Sequence, residues 1–295
     1  MSVDILLSYA FHAKTQFDVV REALGKGQHI MIDSGAFTAF TKGRPVDREQ
    51  YAKFLKHWEG CYDYAMTLDV IGDGVATEAN LQWLLDQGLP VIPVYTARAP
   101  MSELESLAER FDYIAYGGLV GVPKNLQMRA LKVVTDRAAE ANCRVHALGQ
   151  ASARTFTQTV TYSGDSSKAS SAPMTNNMSL TELSTGKIVT INFGDRTSAM
   201  GHERLMRAYG LSPAECFGPN KWKRANRDRI FRAGVLAVAV MSAHLKTDSE
   251  RPVVYSAFTP GDMKAILRGA QDWRTGNLPR EFDHVLSMSL TKEKE

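Results

Sequence analysis

The feature that most constrains this chain is an alternation. Short apolar runs of strand length are each followed by a stretch with helical spacing, at intervals of roughly 25–30 residues. The runs at 3–8, 29–33, 64–69, 90–95, 113–116, 144–148 and 159–163 read as strands. Residues 15–24, 48–58, 77–86, 102–110, 126–141 and 152–156 read as helices between them. Phe17, Val20 and Leu24 share one face of the first helix, Asp47 can cap the second, and Gly88 can end the third. Strand-then-helix order favours parallel strands joined by crossovers. Seven such units plus one more strand predict an α/β chain folded as a TIM-type (β/α)8 barrel. An open doubly wound sheet is the alternative. It usually carries a glycine fingerprint after its first strand, where this chain has Ser8-Tyr9-Ala10-Phe11.

After Asp165 the alternation breaks. Residues 163–171 are Ser-rich and read as a loop, and 178–183 and 187–193 alternate around Ser184-Thr185-Gly186, which predicts a β-hairpin. The hairpin, within about 175–195, is expected to be an insertion on the barrel, followed by a helical C-terminal part over about 200–295. Residues 1–295 then form a single domain. No apolar run approaches the roughly 18 residues of a membrane span, so no membrane association is expected. The N-terminus lacks the basic-then-apolar pattern of a signal peptide. Cys61, Cys143 and Cys216 are an odd, scattered set, which suits a reducing cytoplasm better than a disulfide framework. A net charge of +3 says little about nucleic acid, so any basic footprint must be local.

The predicted strand ends carry the polar residues of interest. Asp33 ends the second strand. Asp69 ends the third, just before Gly72-Asp73-Gly74, and Tyr95 ends the fourth. Gly117-Gly118-Leu119, Gly149-Gln150 and Asp165 follow the fifth, sixth and seventh. Singly, such residues are ordinary helix caps and turns. Together, in a barrel, they put three carboxylates and three glycine-bearing loops on the face where barrel chemistry sits. Paired carboxylates suggest glycosidic chemistry, one as nucleophile and the other moving a proton.

In order along the chain, several short motifs carry a resemblance. Asp33-Ser34-Gly35-Ala36-Phe37 resembles the Asp-Ser-Gly-Gly-Phe motif of the tRNA-guanine transglycosylase superfamily. Gly117-Gly118-Leu119 resembles its base-binding loop, and Ala147-Leu148-Gly149 the following strand end. Asp165, after Tyr162-Ser163-Gly164, falls where the family carries its nucleophilic aspartate. Phe231-Arg232-Ala233-Gly234, with His244 beyond, resembles the closing helix. The resemblance spans roughly residues 29 to 245 and is nearest to the bacteriophage and bacterial branch that places 7-deazaguanines in DNA.

That resemblance implies catalytic roles for Asp165, as nucleophile at C1′, and for Asp33, which handles protons on the departing and incoming bases. It implies that Asp69 reads the base edge, that Ser34 bonds base or sugar phosphate, and that Gly118 and Leu119 meet the base carbonyl and the C7 substituent. Gly117, Tyr95, Leu148 and Gly149 complete the expected substrate-binding set. The partners it implies are DNA, with tRNA as the alternative, and a free 7-deazaguanine base. A catalytically silent nucleic-acid-binding barrel is the non-enzymatic alternative. The chain departs from the family in three ways. Ala36 replaces the second motif glycine. Cys216 and His244 are too few for the family's structural zinc, so no metal and no cofactor are expected. The chain is also shorter than the tRNA-modifying members, which favours a different polymer.

The expected nucleic-acid contact is the basic segment 221–232, with Lys221, Trp222, Lys223, Arg224 and Arg227, together with Lys168. A solvated helix start is the competing explanation of that segment, although its charge opposes the helix dipole. Lys42, Arg44, Arg98 and Lys124 fall in loops after strands, on the same expected face. His146 and Arg154 read as structural, and His12, His29 and His57 as surface or core residues.

Overall fold

A computed structural model of the chain describes residues 3–167, 175–217, 223–245, 253–258 and 260–290. Its strands are β1 (Asp4–Ser8), β2 (Ile30–Asp33), β3 (Tyr64–Met66), β4 (Val91–Ile92), β5 (Val94–Thr96), β6 (Tyr113–Gly117), β7 (Arg144–Ala147) and β8 (Ser163–Ser166). They continue with β9 (Asn177–Thr181), β10 (Ile188–Asn192) and β11 (Val253–Ala257). One sheet of nine segments runs in the order β4-β3-β2-β1-β11-β8-β7-β6-β5, and every pairing in it is parallel. Its two ends, β4 and β5, are halves of one strand broken at Pro93, which has no N–H to donate. Thr67 N still donates to the Ile92 carbonyl on one side, and Ala115 N to the Pro93 carbonyl on the other, at 2.8 Å each. The sheet is thus an eight-stranded TIM-type barrel ringed by helices.

The strand sequences follow from that closure. Both faces of a barrel strand are covered, so apolar residues run without interruption instead of alternating with polar ones. Along β1, Ile5 and Leu7 pack outward against the helix Phe17–Leu24 through Phe17, Val20 and Leu24. Leu6 points inward to Met31, Met66, Ile92, Tyr113 and Tyr255. Toward the C-terminal ends of the strands this apolar filling gives way to Ser8, Asp33 and Asp165, each two residues beyond an inward-facing neighbour. Helix starts behave as their sequences suggest. Asp47 accepts from Glu49 N and Gln50 N at the head of Arg48–His57, and Asp73 accepts from Ala76 N at the head of Gly74–Asp86.

The expected hairpin is β9 and β10, an antiparallel pair. It is fastened to the long helix Arg224–His244 by Thr181 Oγ1, which donates to the Ala237 carbonyl at 2.8 Å, and by the His244 ring, 3.0 Å from the Leu183 carbonyl. That helix also packs on β11 and on Met263–Thr275. Two boundaries differ from the sequence reading. The seventh barrel strand is Ser163–Ser166, so Asp165 lies within a strand and not in a loop after it. The eighth barrel strand, unassigned in the sequence, is Val253–Ala257, and its partners β8 and β1 supply the hydrogen bonds that close the wall.

Candidate active site at the barrel mouth

Asp33 is the last residue of β2 and pairs in register with Ser8 of β1. Its Oδ2 accepts from Gly35 N at 3.1 Å. That turn needs glycine. Gly35 has φ +78°, and a Cβ there would lie 2.4 Å from Ala10 Cβ. The Asp33 carboxyl is pushed up to about 7, first by burial and next by the charge of Asp69, with Asp165 adding to the rise. The Ser8 hydroxyl and the Gly35 N–H oppose the rise. Ser8 Oγ is close enough to act on the charge, yet it is a buried hydroxyl without a hydrogen bond of normal geometry.

Asp69 lies three residues beyond β3, in the segment that leads to helix Gly74–Asp86. Ser34 Oγ donates to Asp69 Oδ1 at 3.2 Å and is itself fully buried. Ser34 therefore positions Asp69 and is not open to a ligand. Burial raises the Asp69 carboxyl, and the Ser34 hydrogen bond and its own backbone partly offset this. A cleft of about 600 Å³ opens beside Asp69, with Ala36, Phe40, Arg44, Leu68 and Asn80 among its lining residues.

Asp165 stands on the opposite wall. Its Oδ1 accepts from Gly149 N at 2.6 Å and meets His146 Nε2 at 3.3 Å. The other side of the imidazole, Nδ1, is 2.8 Å from Ser163 Oγ, which is 2.6 Å from the Tyr113 hydroxyl. Asp165, His146, Ser163 and Tyr113 thus form one buried chain of polar groups down the barrel interior. Both the Gly149 and the His146 contacts of Asp165 are made by Oδ1. Gly164 is required beside it, since a Cβ there would lie 2.6 Å from the Gln150 carbonyl.

Among the expected site residues, Asp33, Asp69 and Asp165 come together at the mouth, where the charges of Asp69 and Asp165 both bear on Asp33. Gly117 and Leu148 close the same side of the interior, with Leu148 Cδ1 3.0 Å from where a Gly117 Cβ would sit. Gly118 is exposed with φ +81°. Leu119 is buried, and its carbonyl is taken by Gln127 Nε2 at 2.9 Å, which steadies the loop. Gly149 spends its N–H on Asp165. Tyr95 is not at the mouth. It faces the helix layer, its ring stacks on Tyr116, and its hydroxyl donates to the Ala99 carbonyl at 3.1 Å.

His146, expected from the sequence to be structural, lies in contact with Asp165. On a strand, it is the inward neighbour of Leu148 by period-two spacing, and that is the signal that marks it as an interior residue of the barrel.

The basic segment is recast by its partners. Arg227 is ion-paired with buried Asp262 at 2.7 Å, Arg229 with Glu215 at 3.0 Å, and Arg232 with Asp272 at 2.6 Å. Arg227 therefore serves the packing of the helix before any phosphate. Lys223 is exposed at the head of that helix. Lys168, Lys221 and Trp222, and the side chain of Arg224, lie outside the described residues. The residues matched to zinc ligands do not fit a closed four-ligand site. His244 is engaged with Leu183, and burial pushes the Cys216 thiol up to about 11. Among the described residues, no group of three His, Cys, Asp or Glu is arranged to hold a metal ion.

Compared with known proteins, the chain matches no family model and no curated sequence.

Proposed function

We propose that the protein is a glycosyltransferase that replaces guanine in DNA with a 7-deazaguanine of the preQ0 type, through a covalent aspartyl-glycosyl intermediate. The observation that carries this reading is the meeting of three carboxylates in unequal surroundings at one barrel mouth. One titrates at about 7, as an acid–base group working at neutral pH should. Another is held through one oxygen, Oδ1, by a backbone N–H and an imidazole. The motif resemblance around Asp33, Gly117-Gly118-Leu119 and Asp165 supports the same assignment.

In the first half-reaction Asp165 Oδ2 bonds to C1′ as the C1′–N9 bond breaks, and protonated Asp33 gives its proton to the departing guanine. In the second, ionised Asp33 takes the N9 proton of the incoming base. Its nitrogen then bonds to C1′, and Asp165 leaves as carboxylate. Asp69 accepts from the N1–H and 2-amino group of either base. Carboxyl groups suffice for both halves, so the chemistry calls for no cofactor. A guanosine within a duplex must first leave the stack to reach the mouth.

The test incubates the protein with guanine-containing DNA and radiolabelled 7-deazaguanine, beside an Asp165→Asn variant, with tRNA in a parallel arm. Label in DNA that depends on Asp165 is the expected result. No label, or equal label with the variant, sinks the proposal. Label in tRNA alone moves the protein to the tRNA-modifying activity.

A further inference from the structure

Several of the large apolar residues that stay exposed lie around the mouth, while others, such as Val19, Val133 and Val160, lie elsewhere. Phe11, Phe37, Phe40, Val75 and Val120 all lie in segments that leave the C-terminal ends of strands, around the mouth. The rings gather after β1 and β2. Helix Tyr9–His12 packs against helix Ala36–Thr41. Phe37 and Phe40, one turn apart on the latter, are 49% and 62% exposed, and Phe11 is 40% exposed.

Cations are interleaved with these rings. Lys42 Nζ lies 4.9 Å over the Phe11 ring, and Arg44 follows two residues on. Arg48 lies 4.8 Å over Trp83. Among the described residues, Lys42, Arg44 and Arg48 make no ion pair. The one acid in this loop, Asp47, is spent on the N–H groups of Glu49 and Gln50. The cleft of about 600 Å³ counts Phe40, Arg44 and Arg48 as well as Asp69 among its lining residues. The rim and the carboxylates are thus connected.

This composition discriminates between occupants. A protein partner favours an apolar centre depleted of charge. Here a cation lies over the exposed Phe11 ring, and exposed Phe40 shares a cleft lining with Arg44 and Arg48, which suits a polymer that offers a flat base and an anionic phosphate at every step. The volume lies within the usual range for a small bound group, about 300–1,000 Å³.

We propose that the loops after β1 and β2 bind the nucleotide adjacent to the target in a single-stranded stretch of nucleic acid, with its base on Phe40 and its phosphate on Arg44. The proposal rests on the reading that the protein acts on nucleic acid. It brings the strand in over the β1–β2 side of the mouth, where the sequence had pointed to residues 221–232.

The test is fluorescence anisotropy with a labelled oligothymidylate, titrated over a range of salt. The probe has no guanine, so binding is read without exchange. Phe40→Ala is expected to weaken binding about 5- to 100-fold, and Phe40→Trp to restore it. Arg44→Gln should lower the salt slope by about 0.7. Both side chains are exposed, and unchanged thermal melts would show that the variants fold. Variants that bind with wild-type affinity and slope overturn the proposal. So does unchanged binding joined to a fall in sedimentation mass, which would make this face a contact between copies of the chain. Failure of the wild type to bind at low salt sinks the nucleic-acid reading as well, whereas wild-type binding with indifferent variants sinks only this one.

Discussion

Replacing Asp33 with asparagine should leave the protein more stable and, under the proposed function, unable to exchange bases. The Asp33 carboxyl is moved from 3.8 to about 7, by burial first and by the Asp69 charge next. A carboxyl raised in the folded state leaves stability whole below its unfolded value and takes it away as pH rises through the folded one. The loss therefore runs from about pH 4 to about pH 7, at about 1.4 kcal/mol per pH unit, and approaches about 4 kcal/mol at pH 8. Asp33 is partly exposed, so solvent screening makes that figure a ceiling. Asparagine is neutral at every pH and still offers an oxygen to the Gly35 N–H, so it escapes the loss. The variant should exceed the wild type by about 1.5 kcal/mol at pH 5 and by up to about 4 kcal/mol at pH 8. Urea unfolding followed by tryptophan fluorescence at the two pH values measures both offsets. The same offset at both would refute the displaced titration, and with it the proton-carrying role proposed for Asp33.

Substitutions at three further positions probe other parts of the frame. His146→Phe removes the ring contact to Asp165 Oδ1 and should lower kcat about 100-fold with little change in KM, while His146→Gln should recover part of it. A loss confined to KM would deny His146 its part in aiming Asp165. Arg227→Ala strips an ion pair from buried Asp262 and should cost about 1–3 kcal/mol in denaturant unfolding, with the salt slope of oligonucleotide binding unchanged. A shallower slope would return Arg227 to the phosphate footprint. Gly35→Ala forces a side chain into φ +78° and against Ala10, and should lower Tm by about 5 °C or more, whereas a melt like the wild type would contradict the crowding seen there.

What the sequence reveals follows the range over which each signal acts. Strand and helix alternation is local, so the first six barrel strands and the hairpin are legible, as are the caps at Asp47 and Gly88. The strand holding Asp165 reads Ser-Gly-Asp-Ser, with no β-branched or aromatic residue, so propensity reports a loop where neighbouring strands impose pairing. The closing strand Val253–Ala257 stands far from the alternating region, so no spacing points to it. Asp33 and Asp69 are visible as polar ends of apolar runs. For His146 the period-two spacing marks an interior position, but its contact with Asp165 is not legible, because that partner lies on another strand. The ion pairs of Arg227 and Arg232 depend on Asp262 and Asp272, which lie on another element, and their absence from the sequence reading made the segment seem freer for phosphate than it is.

The break at Pro93 has a mechanical consequence. It leaves β4 stitched only to β3 and β5 only to β6, so the wall consists of two arcs joined by a full lattice at β11 and by a seam at the proline. Asp33 and Asp69 belong to one arc and Asp165 to the other. The Asp33 and Asp165 sides of the mouth are therefore joined by continuous strand pairing through β11 and, around the other way, by the chain at Pro93 with the hydrogen bonds of Thr67 N and Ala115 N beside it.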